Sequence, residues 1–335
     1  MHVRATVPMR IDLAGGTLDV YPLYIFEGGG LTVNAAISIL ATADVATRDD
    51  ATITLASQDL GHREVIPSLS KMTFGGPLDL VKRALAYYAP TMGLDIEVGS
   101  QAPRGSGIGA SSALLMALSH CLNEITGRGY DGAQILDVGA NIEAQLIGIP
   151  TGKQDYFPPI YGGVCAIWFE LDGWRLESLS ERQPLVEMLD ERLIVSYTGI
   201  PHSSAATNWA MLKAYIEREG NAVERMSEIK TISAAMRECL VAADMTEFAR
   251  LVDAEWQLRK GLADGVTNDE VDAIMAAAKN AGALANKICG AGGGGCMITV
   301  VEPDQKDQIA AALQAAGARI MPAHVVQRGI ELEIS

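Results

Sequence analysis

The sequence predicts a two-domain α+β protein. Its 335 residues are enough for two domains that each bury a core of their own. The amino-terminal third is rich in strand-like segments, in which Val, Ile and Thr alternate or cluster between Gly and Asp. Beyond about residue 200 the apolar residues recur at helical spacing. We predict one domain over residues 1–190 and a second over residues 191–335, because polar and acidic stretches flank the change in pattern near residue 190.

The predicted strands and helices follow from the spacing of apolar residues. A helix is expected over residues 111–126, ended by Gly127; it is apolar nearly all round and should be buried. Asp131 and Gln134 have the spacing of a capping box and should begin the next helix. In the carboxyl-terminal half, strands are expected only at residues 296–301 and near the end. The remaining predicted strands cover residues 3–11, 31–46, 51–56, 94–98, 163–171 and 193–197.

Charge and composition limit the kinds of partner. The formal net charge of −15 argues against nucleic acid or an anionic membrane surface, since both require a basic footprint. The amino-terminal residues lack the apolar core of a secretory signal, and no window resembles a membrane span, so we expect a cytoplasmic protein. The five cysteines form no CxxC pair and have no histidine at metal-ligand spacing. Reduced thiols are therefore expected, rather than a zinc site or disulfides.

Residues 103–113, PRGSGIGASSA, place three glycines between a predicted strand and a predicted helix. Glycines let the backbone approach a ligand closely, and the first N–H groups of a helix attract anions. The segment therefore has the chemistry of a phosphate-binding loop. It has neither the spacing of a Walker A loop nor that of a dinucleotide fingerprint. The alternative is a tight strand-to-helix turn that binds nothing.

With its neighbours, this segment resembles the second signature of the GHMP kinases, Pro-x3-Gly-Leu-Gly-Ser-Ser-Ala. The resemblance implies the two-domain fold of that superfamily, with a first domain like domain 2 of ribosomal protein S5 and a ferredoxin-like α+β second domain. It also implies ATP and Mg²⁺ as cofactors. The nucleotide would contact Pro103, Gly105, Ser106, Gly107, Gly109, Ala110, Ser111 and Ser112.

A second glycine-dense segment, KICGAGGGG, begins at Lys287 and resembles the third signature of the family, with Cys289 in place of Ser. The resemblance implies that Gly292, Gly293 and Gly294 close over the triphosphate. Closely spaced glycines are costly to order unless the backbone must approach something. A flexible hinge is the alternative interpretation.

Near the start, Arg10 and Asp19 keep the nine-residue spacing of the first GHMP signature. Gly16 stands where galactokinases have a sugar-contacting Glu, which disfavours galactose as the acceptor. The resemblance implies a catalytic role for Arg10 and sugar contacts for Asp19, Gly16 and Thr17. Otherwise, Arg10 would be a surface charge at a strand end, and Asp19 a turn residue.

The segment GIPTGKQDYF resembles the catalytic stretch of sugar kinases related to the heptose 7-phosphate kinases, and the match makes Asp155 the catalytic carboxylate. Gly152 and Lys153 would then contact the substrate. Glu143, beside the apolar face of the preceding helix, should be partly buried. The resemblance implies that Glu143 binds magnesium together with Ser111. The alternative partner is a nearby cation such as Lys153.

These resemblances imply an ATP-dependent kinase that phosphorylates a hydroxyl, expected to be the anomeric one, of a heptose 7-phosphate or a related sugar. A substrate phosphate would need a further basic group, for which Arg104 and Lys153 are the candidates. Other possible acceptors are fucose, a uronic acid or an unphosphorylated hexose. A sugar sensor without turnover and a phosphate-dependent decarboxylase on the same fold are further alternatives. The expected partner is a small molecule, and a homodimer is possible.

Overall fold

Two long antiparallel strands, β1 (His2–Ala14) and β2 (Gly30–Arg48), form the centre of the first sheet. The chain is described here by a computed structural model that covers residues 1–181, 184–201 and 204–335. β2 is long enough to pair with two further strands beyond β1, one at each end. The other strands of this sheet are β3 (Ile53–Ser57), β4 (His62–Ile66), β5 (Gly93–Ser100), β6 (Val164–Glu170), β7 (Gly173–Ser178) and β12 (Glu331–Ile334).

The strand order is β12-β1-β2-β5-β3-β4, and β6 and β7 extend the sheet from the first half of β2. All neighbouring strands are antiparallel except β3 and β5. The predicted strands of the first domain are confirmed within a few residues at each end. β4 and β7 were not predicted: the β4 sequence HREVI offers little alternation of apolar residues, and the β7 sequence GWRLES has only Trp174 and Leu176 as large apolar residues.

The helices on the first sheet include the two that matter for the site. α3 (Ala110–Thr126) packs against β1 and β2, and its apolar residues are buried, as predicted. α4 (Gly132–Ile147) begins at the predicted capping box, in which Asp131 and Gln134 each bond to the other's backbone N–H. The other helices of this half are α1 (Leu23–Phe26), α2 (Asp79–Tyr88), α5 (Phe157–Tyr161) and α6 (Leu185–Arg192), with 3-10 turns at Leu69–Lys71 and Gln154–Tyr156.

The second sheet has the antiparallel order β11-β8-β10-β9. Its first strand begins at Leu193, and the division of the chain after residue 190 remains a prediction. The final strand, β12, returns to pair with β1. The strands are β8 (Leu193–Tyr197), β9 (Ala285–Ile288), β10 (Cys296–Val300) and β11 (Arg319–Met321).

Among the helices of the carboxyl-terminal half, α9 (Met245–Arg259), α10 (Asp269–Asn280) and α11 (Lys306–Ala315) pack against the second sheet. α9 also contacts β1, and α8 (Ala222–Ala242) packs against β1 and β2. None of the helices in the part of the chain described above is long and apolar enough to cross a membrane. The helices are α7 (Ser204–Ile216), α8 (Ala222–Ala242), α9 (Met245–Arg259), α10 (Asp269–Asn280) and α11 (Lys306–Ala315), with a 3-10 turn at Pro303–Gln305.

The prediction that strands of the carboxyl-terminal half occur only at residues 296–301 and near the end was wrong. β9 has the sequence ANKI, whose Asn286 and Lys287 do not suggest a buried strand. Both side chains are nevertheless buried, because Asn286 accepts a hydrogen bond from Thr299 and Lys287 is paired with carboxylates. Paired polar groups can lie inside a core where unpaired ones cannot.

Candidate active site

The loop between β5 and α3, here called the phosphate loop (residues 103–109), turns at three glycines. Gly105, Gly107 and Gly109 have φ angles of 64°, 69° and 74°, in the left-handed region where side chains are strained. Gly109 precedes the first residue of α3, so the loop leads directly into the helix amino terminus. That end carries unpaired N–H groups and the positive end of the helix dipole.

A cavity of 490 Å³ opens beside this loop and collects most of the predicted site residues. It is lined by residues from the amino-terminal half and by a few from the carboxyl-terminal half, among them Asn208 of α7 and Gly290. The predicted residues that line it are Arg10, Thr17, Asp19, Pro103, Gly105, Ser106, Gly107, Gly109, Ala110, Ser111, Ser112, Glu143, Gly152 and Asp155.

Arg10 and Asp155 form an ion pair in this cavity. Nε of Arg10 donates to Oδ1 of Asp155 at 2.8 Å, and Nη2 lies 2.6 Å from the same oxygen. Nη1 donates to the carbonyl of Gly107 at 2.6 Å, so the guanidinium also fixes the phosphate loop. Burial opposes the charge on Arg10, but the facing carboxylates of Asp155 and Asp12 outweigh it and raise its pKa. Arg10 is therefore not a surface charge at a strand end.

Gly109 brings the phosphate loop against the same aspartate. A Cβ atom on Gly109 would lie 3.3 Å from Cβ of Asp155. Asp155 keeps 27% of its side chain exposed, while Arg10 keeps 3%. The carboxylate of Asp155 thus faces the cavity at the amino terminus of α3, and the buried guanidinium of Arg10 fixes its position.

Glu143 is buried on α4 and accepts hydrogen bonds from three hydroxyl groups. Ser112 donates to it at 2.7 Å, and Ser111 and Tyr156 donate over short contacts. Within the described ranges, no Lys or Arg pairs with Glu143, so Lys153 is not its partner. A carboxylate beside hydroxyl groups is a hard oxygen donor set of the kind that suits Mg²⁺.

Asp19 is almost completely buried beside Gly152. Its Oδ2 accepts a hydrogen bond from the backbone N–H of Gln154 at 2.8 Å. A Cβ on Gly152 would come within 2.2 Å of that oxygen, so only glycine fits there. Burial raises the pKa of Asp19 to about 6; the bond from Gln154 opposes the shift, and the charge of Asp155 adds to it.

Lys153 does not line the cavity, contrary to its prediction as a substrate contact. Its Nζ forms an ion pair with Asp137 at 2.7 Å, on the exposed side of α4. The adjacent Gln154 and Asp155 reach the cavity because a 3-10 turn changes the direction of the chain there. The predicted basic group at position 153 is thus satisfied elsewhere, whereas Arg104 does line the cavity.

Gly16 was predicted to contact the sugar, but it does not line the cavity either. A Cβ at this position would meet Oδ2 of Asp12 at 2.6 Å and Nη2 of Arg259 at 3.1 Å. Gly16 therefore faces buried charged groups, and a larger residue such as Glu has no room. Its neighbour Thr17 does reach the cavity.

The second glycine loop (residues 289–295) packs on the phosphate loop, but Gly292, Gly293 and Gly294 do not line the cavity. Gly292 packs against Val266 and Gly294 against Ile200. The cavity is lined instead by Gly290 and Ala291, and Cys296 N donates to the carbonyl of Ser106 at 2.6 Å. This segment thus supports the phosphate loop, and its hydrogen bonds argue against a flexible hinge.

Several polar residues at the site were not predicted from the sequence, among them Tyr156, Asn208 and Gln154. Tyr156 is buried and bonds to Glu143, Asn208 lines the cavity from α7, and Gln154 lines it with only 4% of its surface exposed. The buried Oε1 of Gln154 has no hydrogen-bond partner among the described residues. Tyr156 and Gln154 flank Asp155, so their position next to the predicted catalytic residue is the signal that could have indicated them.

Comparison with known proteins identifies the family. The profile of the GHMP kinases N terminal domain matches residues 79–163, and the profile of the GHMP kinases C terminal region matches residues 236–319. The chain belongs to the GHMP kinases. The α+β fold expected from the sequence is confirmed. The phosphate loop and Asp155 both lie within the amino-terminal match of this GHMP kinase.

Relatives of this GHMP kinase include proteins named for sugars and also mevalonate kinases, such as that of Pyrococcus horikoshii, which is 26% identical over 99% of this chain and 98% of that protein. The D-glycero-alpha-D-manno-heptose 7-phosphate kinase of Campylobacter jejuni is 26% identical over 98% of each chain. The L-fucokinase/L-fucose-1-P guanylyltransferase of Bacteroides fragilis is 28% identical over 89% of this chain and 34% of that protein. A crystal structure titled as a D-glycero-D-manno-heptose 1-phosphate kinase from Bacteroides thetaiotaomicron superimposes with a TM-score of 0.81, at 25% identity over 99% of each chain.

Proposed function

We propose that this GHMP kinase transfers the γ-phosphoryl group of ATP to a sugar hydroxyl, with a heptose 7-phosphate as the preferred acceptor and the anomeric hydroxyl as the receiving group. The observation that carries the proposal is the position of Asp155. It is paired with Arg10, touches Gly109 of the phosphate loop and faces the same cavity as Asp19. A carboxylate between an anion site and a buried polar pocket suits hydroxyl-to-phosphate transfer.

The phosphate loop and the first turn of α3 would bind the triphosphate. The amino terminus of α3 follows Gly109 directly, and backbone N–H groups between Gly105 and Ser112 would stabilise an anion there without any lysine. Arg104, which is exposed at the cavity, adds positive charge to a chain of net charge −15. Apolar side chains suited to the base also line the cavity: Leu60, Pro77, Leu78, Leu80 and Val81.

Glu143 and Ser111 would hold a magnesium ion with the nucleotide. The fit rests on the donors: Glu143 is a buried carboxylate that accepts hydrogen bonds from hydroxyl groups and pairs with no Lys or Arg of the described residues, so its charge is uncompensated there. Bound magnesium would neutralise charge on the phosphates during transfer. Ser112 and Tyr156 occupy the second carboxylate oxygen and keep Glu143 oriented.

Asp155 would orient the acceptor hydroxyl and accept its proton as the hydroxyl oxygen bonds to phosphorus and ADP leaves. Arg10 fixes the carboxylate by two nitrogen contacts to Oδ1, which leaves Oδ2 for the acceptor. Because phosphoryl transfer requires little covalent chemistry from the protein, this positioning accounts for most of what the side chains contribute.

Asp19 and Gln154 would contact other hydroxyl groups of the sugar. Both side chains are buried at the cavity, and the unpaired Oε1 of Gln154 would gain a partner when a polyol binds. A buried amide and carboxyl discriminate strongly against ligands that leave them unpaired. This polar pocket is more consistent with a sugar than with an apolar acid.

The heptose phosphate is preferred over fucose because the heptose kinase relative matches 98% of both chains, whereas the fucokinase match covers 34% of a bifunctional protein. The presence of Asp155, Glu143 and Ser111 in one cavity favours turnover over a sensor. A catalytic carboxylate facing a hydroxyl pocket likewise favours phosphoryl transfer over decarboxylation.

The test is ADP release with magnesium and ATP against a panel of sugars and sugar phosphates, including heptose 7-phosphate, fucose, a uronic acid and unphosphorylated hexoses. We expect the highest kcat/KM with heptose 7-phosphate, and phosphorus NMR should locate the new ester on the anomeric carbon. Turnover of another sugar would shift the acceptor assignment. Saturable sugar binding without ADP release from any acceptor would overturn the kinase proposal in favour of a sensor.

A further inference from the structure

Four charged side chains form a fully buried cluster behind the turn at residues 15–17. Asp12 belongs to β1, Glu255 and Arg259 to α9, and Lys287 to β9; all four side chains are 0% exposed. Lys287 Nζ lies 2.8 Å from Asp12 and 3.0 Å from Glu255, and Arg259 Nη2 lies 2.6 Å from Glu255. Two carboxylates and two cations therefore balance each other in the interior.

Such a cluster is not explained by stability alone. Removing charges from water costs several kcal/mol per ion, so buried pairs often stabilise a fold no more than apolar residues of the same size would. The four residues come from both halves of the chain and meet at one turn. Their position next to the cavity calls for a role there.

Arg259 connects the cluster to that turn. Its Nη2 donates to the carbonyl of Gly16 at 2.7 Å, and its Nη1 donates to Oγ1 of Thr17 at 3.4 Å. Glu255 accepts a hydrogen bond from the backbone N–H of Gly15 at 3.3 Å. Three consecutive residues of the turn are thus held by one helix of the carboxyl-terminal half.

The turn itself is strained at the residue that faces the cavity. Thr17 has a φ angle of 79°, in the left-handed region that β-branched residues rarely adopt, and it lines the cavity two residues before Asp19. A conformation of this kind persists only when its surroundings hold it, and it is typical of functional sites. The contacts from Arg259 and Glu255 supply that restraint.

We propose that Arg259 is a positioning residue for the acceptor. With Glu255 it holds the turn at residues 15–17 so that Thr17 and Asp19 keep the geometry that binds the sugar, and the buried cluster keeps Arg259 charged and aimed. This proposal rests on the proposed kinase function. It adds that acceptor affinity, and not nucleotide affinity, depends on a residue that does not itself line the cavity.

The test is Arg259→Lys, which keeps the charge of the cluster but removes the planar fork that reaches Gly16 and Thr17 together. Kinetics are measured with the acceptor that the wild-type chain phosphorylates best. We expect the KM for the acceptor to rise by about tenfold or more, with the KM for ATP within about twofold of the wild type. Acceptor binding by calorimetry without nucleotide should weaken by a similar factor.

A matched control is Phe248→Leu, a buried change near the other end of the same helix. It should lower the melting temperature without separating the two KM values. If Arg259→Lys behaves like this control, or leaves both KM values unchanged, the positioning role is overturned.

If Arg259→Lys does not fold, Glu255→Gln tests the same restraint from the other side of the ion pair, because Glu255 lies 2.6 Å from Nη2 of Arg259, accepts the N–H of Gly15 and does not line the cavity. The same separation of KM values is expected, and its absence overturns the proposal. A wild-type chain that phosphorylates none of the acceptors would overturn both the kinase function and the role of Arg259. If the wild type is active but the variants do not raise the acceptor KM more than the ATP KM, only the role of Arg259 is overturned.

Discussion

Gly109 lies directly against Asp155, at a distance that leaves no free space for a side chain: a Cβ on the glycine would be 3.3 Å from Cβ of the aspartate. The last glycine of the phosphate loop and the proposed catalytic carboxylate are therefore one packed unit. Arg10 joins them from behind, because it bonds to Asp155 and to the carbonyl of Gly107.

Replacing the proposed catalytic carboxylate should abolish turnover but not nucleotide binding. Asp155→Asn keeps the size of the side chain but removes the proton acceptor, so kcat should fall by about three orders of magnitude or more. ATP affinity, measured by calorimetry, should stay within a few-fold. Asp137→Asn, a change at an exposed carboxylate of α4, is the control and should retain full kcat. Unchanged turnover in Asp155→Asn would remove this residue from the mechanism.

Adding one methyl group at Gly109 should disturb the packed unit. Gly109→Ala forces an alanine into a φ of 74° and against Asp155, so we expect a loss of about 1 kcal/mol of stability and a fall in kcat. Gly127→Ala, at the other end of α3, has a similar φ of 62° but no atom within 4 Å of the new Cβ. Urea unfolding should show similar losses for both variants. Only Gly109→Ala should lose activity; equal kcat values would contradict the packing argument.

The sequence predicted the elements and residues that local chemistry defines. The glycines of the phosphate loop, the capping box at Asp131 and the buried helix α3 depend on neighbours in the chain, and all were recognised. Gly16 and Lys153, predicted as substrate contacts, lie instead against Arg259 and Asp137, and the sequence could not indicate these partners because they are distant along the chain. β9 was missed for the same reason, since only the fold pairs Lys287 with Asp12 and Glu255.

Removing the charge of Glu143 on α4 should raise the magnesium concentration that the reaction requires. Glu143→Gln removes the negative charge that we propose to bind magnesium, so the half-saturating magnesium concentration should rise at least about tenfold. Tyr156→Phe, which removes one hydrogen bond to Glu143, should raise the half-saturating magnesium concentration by a smaller factor. Mn²⁺ binding followed by electron paramagnetic resonance in the presence of ATP provides a readout that does not depend on turnover.

The control variant for the magnesium titration is Glu124→Gln, which changes an exposed carboxylate near the end of α3. It should give a magnesium titration identical to that of the wild type. A titration for Glu143→Gln that superimposes on the same curve would mean that Glu143 does not bind the metal.

The cysteines should be unreactive in the folded protein. All five are buried, and burial raises the pKa of Cys121, Cys165 and Cys239 to about 12 and also raises that of Cys289 and Cys296. A disulfide exchange reagent such as DTNB at pH 8 should therefore titrate about five thiols after unfolding in guanidinium and almost none before. Rapid reaction of the native chain would show that one of these cysteines is accessible.

Asp19 should link acceptor binding to pH and to stability. Its pKa of about 6, against an ordinary value of 3.8, means that the folded state binds the proton more tightly than the unfolded state. The protonated Asp19 carboxyl group therefore contributes to the free energy of unfolding at low pH, and this contribution is lost as pH rises from about 4 to about 6. A shift of this size corresponds to about 3 kcal/mol. Asp19→Asn, which needs no proton, should be more stable than the wild type at pH 8, with the difference vanishing near pH 4.

The same substitution, Asp19→Asn, should weaken binding of the acceptor. If the ionised carboxylate of Asp19 accepts a hydrogen bond from a sugar hydroxyl, the wild-type KM for the acceptor should fall as pH rises through about 6, while the KM for ATP stays constant. In Asp19→Asn the acceptor KM should be higher at pH 8, and its change near pH 6 should be absent. Melting temperatures and initial rates measured over pH 4–8 test both effects together. A variant that is less stable at pH 8, or one that keeps the change near pH 6, would contradict the role given to the Asp19 carboxyl group.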